Sequence, residues 1–377
     1  MAQHWQRSSA ARDYSLGHVD RLSDREIVDV LALWRWGTKG AQTCPSCGLV
    51  TDHKWRTRRN VWRCRSCEAE FSVTSGTIFA GHRIPLRTIL KGFVLFANSA
   101  HSISADELMK HLGITQKTAW IFRGKLREAL SATRPTFKLS GTIEADGMYL
   151  CGKPHKGNKR KKKDVDHIQE KIKNGKLAKK KLTKQEFLNI KKRQNRRVMI
   201  SLRQIGGGKN QASHQGYAFI TESENEIDAT AIIRSYVEPG SIIMTDECPA
   251  YNSLVSYGYD HQSVQHSLEF CSSDGVNDNQ CESFNSRLRR AEYGVFHSLR
   301  PQYLQSIADE FVWREDTRHL TNLERIGGLV HRVLSAGLSK FRGYYQRKDK
   351  RGKELRWLSL SKPIDGKFGV VGVVATS

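Results

Sequence analysis

Long apolar runs are missing from this sequence of 377 residues. No segment approaches the roughly 20 apolar residues that a membrane-spanning helix needs, and the N-terminal segment lacks the apolar core of a secretory signal. We therefore expect a cytoplasmic protein with no membrane partner, whose cysteines are thiols or metal ligands rather than disulfides. Internal repeats with periods of about 20–50 residues are also missing, which argues against a repeat architecture.

Acidic residues are few relative to basic ones. The chain has 62 lysines and arginines against 38 aspartates and glutamates, and its formal net charge is +24. This balance favours a polyanionic partner, because each phosphate that is neutralised releases counterions; a ribosome-like or merely basic protein would show it too. The charge is concentrated in residues 153–197, where 19 Lys or Arg stand against four acids. We interpret this insert as a DNA-clamping arm, a helical pair or a solvated linker.

Four of the eight cysteines form two close pairs. Cys44 and Cys47 are followed, after sixteen intervening residues, by Cys64 and Cys67, a spacing close to that of four-thiolate zinc sites. A two-residue gap lets both thiolates of a pair face one tetrahedral ion, so the pattern predicts a structural zinc ribbon over residues 40–75. Disulfides and a redox Cys-x2-Cys pair are the alternatives. The candidate phosphate contacts in the ribbon are Arg58, Arg59, Arg63 and Arg65.

Helical patterns flank the ribbon. A capping box of Ser23 and Glu26 predicts a helix over residues 23–36. After the ribbon, three helical segments follow, with Gly113 in the turn before the third. This pattern predicts a helix-turn-helix with Thr115–Arg127 as the recognition helix, although a structural helical hairpin would look the same. The candidate DNA contacts on the recognition helix are Lys117, Arg123 and Lys125.

The rest of the chain alternates strands with helices, which favours an α/β domain. Strands are predicted at residues 141–150, 197–204, 216–221 and 241–246 and near 264, and helices at 227–237, 280–292 and 302–316. The predicted organisation is an N-terminal helical segment (1–39), the ribbon (40–75), the helix-turn-helix (84–130), the α/β domain (138–320) with the basic insert, and a basic tail (321–377).

Three acidic residues of the α/β region suit a divalent-metal site. Asp146 and Glu144 share one face of a strand whose other face is apolar, and a carboxylate there is costly unless it binds a cation or a partner. Asp246 closes an apolar strand, and Glu282 opens a helix 36 positions later. Converging carboxylates of this kind hold pairs of Mg²⁺ or Mn²⁺ ions roughly 3.5–4 Å apart.

Each of these positions has a structural alternative. Asp246 could simply close a turn after its strand, and Glu282 could be the capping-box partner of Asn279. Arg289 follows Glu282 by about 700° of helical rotation, so both lie on one face, where the cation could hold a DNA phosphate. Two neighbouring arginines are further candidate DNA contacts or part of a solvated face: Arg287 and Arg290.

Several of these segments together resemble a known family. They are LWRWGTKGAQTCPSCG, WRCRSCEAEFSVTSGTIFAGHRIPLRTILKGFVLFANS, ISADELMKHLGITQKTAW, IEADGMYLCGK, IIMTDECPAYNSL and NQCESFNSRLRRAEYGVFHSLRPQYLQSIADEFVWR. In them, over about residues 24–320, the chain is similar to the ISXO-like DDE transposases of bacterial insertion sequences, relatives of the eukaryotic Merlin elements.

The resemblance implies an RNase H-like catalytic domain with a mixed sheet, placed after the zinc ribbon and the helix-turn-helix. It implies that Asp146, Asp246 and Glu282 bind two Mg²⁺ or Mn²⁺ ions and that Arg289 matches a basic position after the third acid. The implied reaction is cleavage at transposon ends followed by attack of the freed 3′-hydroxyl on target DNA. Double-stranded DNA is the implied partner, bound within the nucleoid by a homo-oligomer.

The chain departs from the family pattern in places. Gly147 stands where the family has an acid directly after the first aspartate, and Arg289 stands where lysine is common. Some relatives use asparagine as the third ligand, which keeps Asn279 as a reserve candidate. Two other functions stay open: a domesticated or non-catalytic DNA-binding regulator, and an RNase H-like nuclease without joining activity.

Overall fold

The computed structural model describes residues 9, 12–151, 196–206, 215–263, 279–297 and 299–346. Most of the predicted basic insert, up to residue 195, and the end of the predicted tail lie outside these residues. None of the helices in the described ranges is both long and apolar enough to cross a membrane.

The predicted helices and strands occur in the predicted order, and one further helix lies at residues 322–335. The helices are α1 (Leu16–Arg21), α2 (Asp24–Trp36), α3 (Leu86–Asn98), α4 (Ala105–Leu112), α5 (Gln116–Ala132), α6 (Glu226–Tyr236), α7 (Asn279–Ala291), α8 (Pro301–Asp316) and α9 (Asn322–Ser335). The strands are β1 (Gln42–Thr43), β2 (Val50–Thr51), β3 (Lys54–Arg56), β4 (Val61–Arg63), β5 (Glu70–Phe71), β6 (Thr142–Leu150), β7 (Arg197–Gln204), β8 (Gln215–Thr221), β9 (Ile242–Thr245) and β10 (Asp260–Ser263).

Local signals define the first helices. The Ser23 hydroxyl accepts the Glu26 N–H, and the Glu26 carboxylate accepts the Ser23 N–H at 2.7 Å, so the predicted capping box of α2 is confirmed. The turn between α4 and α5 is closed by Gly113 at φ 64°, a left-handed conformation that glycine adopts without strain. The helix-turn-helix thus has the predicted arrangement of two helices around one glycine turn.

The three predicted N-terminal units share a single core. Leu31 of α2, Trp62 of β4, Phe93 of α3 and Phe122 of α5 are each at most 2% exposed and belong to one cluster. Gly92 permits this packing, because a Cβ there would lie 2.5 Å from the Phe122 ring. The ribbon and the helix-turn-helix are therefore packed together rather than joined by a free linker.

Helix α9 completes that core, although residues from 321 onward were predicted as a basic tail. Thr321 and Glu324 form a second capping box at its start. Its apolar face joins the N-terminal cluster through Ile326, Gly327, Leu329, Val330, Val333 and Leu334. The N-terminal core is complete only with α9, which comes from the C-terminal part of the chain. The tail prediction is therefore wrong at residues 322–335.

Five strands form the sheet of the second unit, in the order β10-β9-β6-β7-β8. Strands β9 and β10 run parallel to β6, whereas β7 is antiparallel to both β6 and β8. This is the mixed sheet of an RNase H-like fold. Strand β10 begins at Asp260 rather than near 264, because its pairing with β9 sets Asp260 opposite Ile242. Its polar sequence DHQS carries no apolar signal.

Both faces of the sheet are covered. Helix α6 and a 3₁₀ segment, Pro249–Tyr257, pack on the face that carries Ile143 and Ala145. Helices α7 and α8 pack on the opposite face, against Met148 and Leu150. The alternation along β6 therefore directs Glu144 and Asp146 toward α7.

Buried ion pairs join α8 to the helix-turn-helix. Glu310 of α8 is fully buried and accepts from Arg127 Nε of α5 at 2.6 Å and from Arg314 Nε at 2.9 Å. Arg314 also donates to the Phe96 carbonyl at the end of α3, at 2.6 Å. This network holds the sheet unit to the N-terminal unit.

Candidate functional site

The four predicted zinc ligands converge. Their sulfur atoms all lie within 4.8 Å of one another, with Cys44 Sγ 3.7 Å from Cys67 Sγ and Cys47 Sγ 3.5 Å from Cys64 Sγ. A tetrahedral zinc ion with bonds of about 2.3 Å separates its sulfurs by about 3.8 Å, whereas a disulfide requires about 2.05 Å. The geometry fits a closed tetrathiolate zinc site and not two disulfides.

The two cysteine pairs lie in matching loops. The Cys44 N–H donates to the Leu49 carbonyl and the Cys64 N–H to the Ala69 carbonyl, both at 2.9 Å. The residue after each second cysteine is left-handed, Gly48 at φ 77° and Glu68 at φ 60°. The N–H of Ser66 donates to Cys64 Sγ at 3.4 Å. Two copies of one loop thus present four thiolates to a common centre.

Asp146 and Asp246 come together where strand β9 ends. The parallel pairing of β6 with β9 runs up to Ala145 opposite Thr245. The next residue on each strand is an aspartate, so Asp146 and Asp246 are lateral neighbours. Strand β6 continues to Leu150 after β9 has ended, and we call the resulting step in the sheet at the carboxyl end of β9 the crevice. Open α/β sheets bind ligands at such edges.

Helix α7 is fixed to β6 beside these aspartates. Glu144, 1% exposed, accepts the N–H groups of Gln280 at 2.6 Å and Cys281 at 3.0 Å. A buried carboxylate at a helix N-terminus satisfies free donors and the helix dipole. The residue pattern of β6 predicts Glu144 beside Asp146, but it does not reveal that Glu144 anchors the helix.

The third predicted ligand lies on the first turn of α7. Glu282 is exposed there, and Asn285, three residues later, donates from Nδ2 to Asp146 Oδ2 at 2.7 Å. Asn279 is the first residue of the helix. Within the described ranges, the cysteine cluster is the only group of three or more His, Cys, Asp or Glu side chains whose ligand atoms lie within 4.8 Å of one another. The three acids thus share one end of the sheet without meeting at a single-ion distance.

A carboxylate that sequence analysis missed lies against the same crevice. Glu224 packs over Gly147, where an added Cβ would lie 2.1 Å from its Oε1, and it accepts from the buried Tyr251 hydroxyl at 3.0 Å. Burial raises the pKa of Glu224, and the charges of Asp246 and Asp146 raise it further. It lies in the loop after β8, and only the sheet topology brings it to β6.

Arg289 ties α7 to the far end of β6. Its guanidinium donates to Glu292 Oε2 at 2.6 Å and to the Tyr149 carbonyl. Glu292 in turn accepts the N–H of Cys151 at 3.1 Å. In this arrangement Arg289 orients the helix beside the predicted acids.

The basic residues predicted to contact DNA differ in exposure. In the ribbon, Arg58, Arg59 and Arg65 are exposed and Arg63 is half-buried. Arg59 pairs with Glu70, Arg63 pairs with Glu68 at 2.5 Å, and Arg65 donates to the Asp52 carbonyl. On α7, Arg290 is exposed and Arg287 pairs with Glu315. Burial lowers the pKa of His101, and the charges of Arg290 and Arg287 lower it further, so positive charge on α7 lies near His101.

The predicted recognition helix is partly covered. The Lys117 ammonium lies 5.5 Å from the Tyr345 ring centre, and Lys125 lies 5.2 Å from that of Phe79. Arg123 turns inward and donates to the Ile103 carbonyl at 3.0 Å; burial lowers its pKa to about 9. Of these three residues, Lys117 is the exposed one.

Two family models match this chain. A family model described as the ISXO2-like transposase domain matches residues 138–316, from just before β6 to the end of α8. A second, described as the transposase zinc-ribbon domain, matches residues 22–70, which contain all four clustered cysteines. A search of curated proteins found no significant match.

Proposed function

The chain belongs to the ISXO2-like transposases that carry a zinc ribbon, and we propose that it cleaves the ends of its insertion sequence and joins them to target DNA. The observation that supports the proposal is that Asp146 and Asp246 directly follow paired residues of two adjacent parallel strands, beside the helix whose first turn carries Glu282. These acids come from distant parts of the chain, and Asn285, three residues after Glu282 in the same helix, contacts Asp146.

The donor set fits hard divalent cations. Carboxylate oxygens from Asp146, Asp246 and Glu282 would hold Mg²⁺ or Mn²⁺, and the nearby Asn285 Oδ1 is buried without a partner among the described groups. Bound ions would activate the attacking oxygen and stabilise the leaving oxygen of an in-line displacement. Glu144 keeps α7 in place, and Arg289 orients it from the far end of β6.

DNA recognition would be divided between the two units. The ribbon, with Arg58 exposed, and the helix-turn-helix would bind the terminal inverted repeats, and the positive region around Arg290 would guide the scissile phosphate toward the crevice. Because two ends must be processed together, we expect a homo-oligomer on DNA.

The test is cleavage and joining of end DNA. Asp146→Asn and Asp246→Asn should abolish nicking in Mg²⁺ while gel-shift binding of the same DNA is retained, because catalysis rests on positioned ions. Asp260→Asn, an exposed aspartate on β10, is the matched control and should nick normally. Nicking retained by both active-site variants would remove the proposed roles.

Two further outcomes separate the alternative functions. Binding without metal-dependent cleavage by the unmodified protein would identify a DNA-binding regulator. Cleavage without joining of a precut 3′ end to target DNA would identify a nuclease.

A further inference from the structure

Asn285 has a buried side-chain oxygen without a hydrogen-bond partner. The residue is 5% exposed, and its Nδ2 donates to Asp146 Oδ2 at 2.7 Å. Its Oδ1 contacts no donor among the described groups. A buried acceptor left unpaired destabilises a folded protein, so this oxygen is expected to have a partner when its ligand is bound.

The orientation of the amide is set by its neighbour. A carboxylate without a proton only accepts hydrogen bonds, so the NH₂ group of Asn285 must face Asp146. Turning the amide over would place two acceptor oxygens against each other. The contact of Nδ2 with Asp146 therefore fixes the orientation of the amide and with it the position of Oδ1, which is bonded to the same carbon.

A cation satisfies this arrangement better than a water molecule does. Water would donate to Oδ1 but would not offset the repulsion between the carboxylates of Asp146 and Asp246, which directly follow paired residues of adjacent strands. A divalent cation takes carboxylate and carboxamide oxygens together and offsets that repulsion.

We propose that Asn285 Oδ1 is a ligand of the divalent cation that Asp146 holds. The proposal rests on the proposed function of the crevice and extends its donor set by a residue that the family matches do not assign. Asn285 follows Glu282 by three residues, so the two lie on neighbouring positions of one helix face and can serve one site. Asn279, six residues earlier, is rotated from Asn285 by about 240° and faces elsewhere.

The test uses Mn²⁺ as the probe, with zinc-loaded protein and no DNA, so that it does not depend on activity. Asparagine is labelled with ¹³C at the carboxamide carbon, and electron–nuclear double resonance reports whether a labelled carboxamide is bound to Mn²⁺. Unmodified protein should give a strong ¹³C coupling that Asn285→Leu removes and Asn279→Leu keeps. A titration should show Mn²⁺ affinity weakened at least about tenfold in Asn285→Leu, the scale seen when groups around a metal are removed.

Asn285→Asp separates a ligand role from a hydrogen-bonding role. It keeps an oxygen for the cation but loses the N–H donated to Asp146, so Mn²⁺ affinity should be retained or increased. Weakening in this variant as large as in Asn285→Leu would overturn the ligand role, and so would the absence of ¹³C coupling in the unmodified protein, which needs no variant to fold.

Mn²⁺ binding by Asp146→Asn and Asp246→Asn distinguishes failure of the Asn285 role from failure of the proposed function. If both weaken Mn²⁺ binding and Asn285→Leu does not, the cation site stands and the Asn285 role fails. If neither weakens it, the proposed function itself fails.

Discussion

Neutralising Glu310 should weaken the packing of the sheet unit against the N-terminal unit and lower the free energy of unfolding. Glu310→Gln preserves the shape of a fully buried side chain but removes its charge from between Arg127 and Arg314, whose side chains are 8% and 7% exposed. Breaking a buried pair leaves uncompensated charge and costs about 3–5 kcal/mol. The loss should appear in urea unfolding of the zinc-loaded protein, followed by tryptophan fluorescence.

The pKa of Glu310 gives an independent magnitude. Burial raises this pKa, but the charges of Arg127 and Arg314 outweigh burial and lower it from 4.5 to about 2. A shift of this size corresponds to about 3 kcal/mol. Because the folded-state pKa is depressed, this stability is present above pH 4.5 and is lost as the pH falls through about 2. Glu310→Gln should lack this part of the acid destabilisation.

Glu70→Gln is the matched control for this prediction. It makes the same chemical change in a surface pair, where the partner Arg59 is 70% exposed, and exposed pairs contribute about 0–1 kcal/mol. Equal losses of unfolding free energy in the two variants would refute the reasoning, because they would show that burial of the Glu310 pair has no energetic consequence.

Three further predictions concern the candidate sites. Chelation of zinc, or Cys64→Ser, should unfold the ribbon and change the fluorescence of Trp62, which is 2% exposed; a metal-indicator dye should count one zinc released per chain. Gly147→Ala should force Glu224 away and destabilise the fold by about 1–3 kcal/mol, whereas Gly294→Ala, with open space around it, should have little effect in the same thermal melts. Glu144→Gln should weaken the start of α7, lowering the unfolding free energy by about 1–3 kcal/mol and increasing amide hydrogen exchange at Gln280 and Cys281; unchanged exchange there would contradict the anchoring role.

Features that depend on residues close together in the chain could be predicted from the sequence. The ribbon depends on two cysteine pairs that each close a local loop, and the four thiolates meet as expected. The helix that begins after Ser23 and the turn at Gly113 also depend on signals within a few residues. In such cases the spacing itself fixes the geometry.

Features that depend on strand pairing could not be predicted in the same way. Glu224 reaches the crevice because β8, β7 and β6 pair in order, and nothing near Glu224 in the sequence records this. Strand β10 has a polar sequence, and it forms because its backbone pairs in parallel with β9. Helix α9 has clear helical signals in its sequence, but its packing in the N-terminal core depends on contacts with residues far away in the chain.

The alternation of side chains along β6 explains how one strand can both fix the position of α7 and carry the predicted ligand Asp146. Glu144 and Asp146 point to the same face, about 6.6 Å apart along the strand. Cys281 and Asn285, which contact them, are about 6 Å apart along α7. The contacting positions on the strand and on the helix therefore have nearly the same spacing. Arg289, one helical turn after Asn285, donates to the Tyr149 carbonyl. Since Glu144 sets the height of α7, a shift of one residue at this contact would carry Asn285 and Glu282 away from Asp146 together. Glu144, which is buried and accepts from the start of α7, thus determines where the proposed metal ligands can lie.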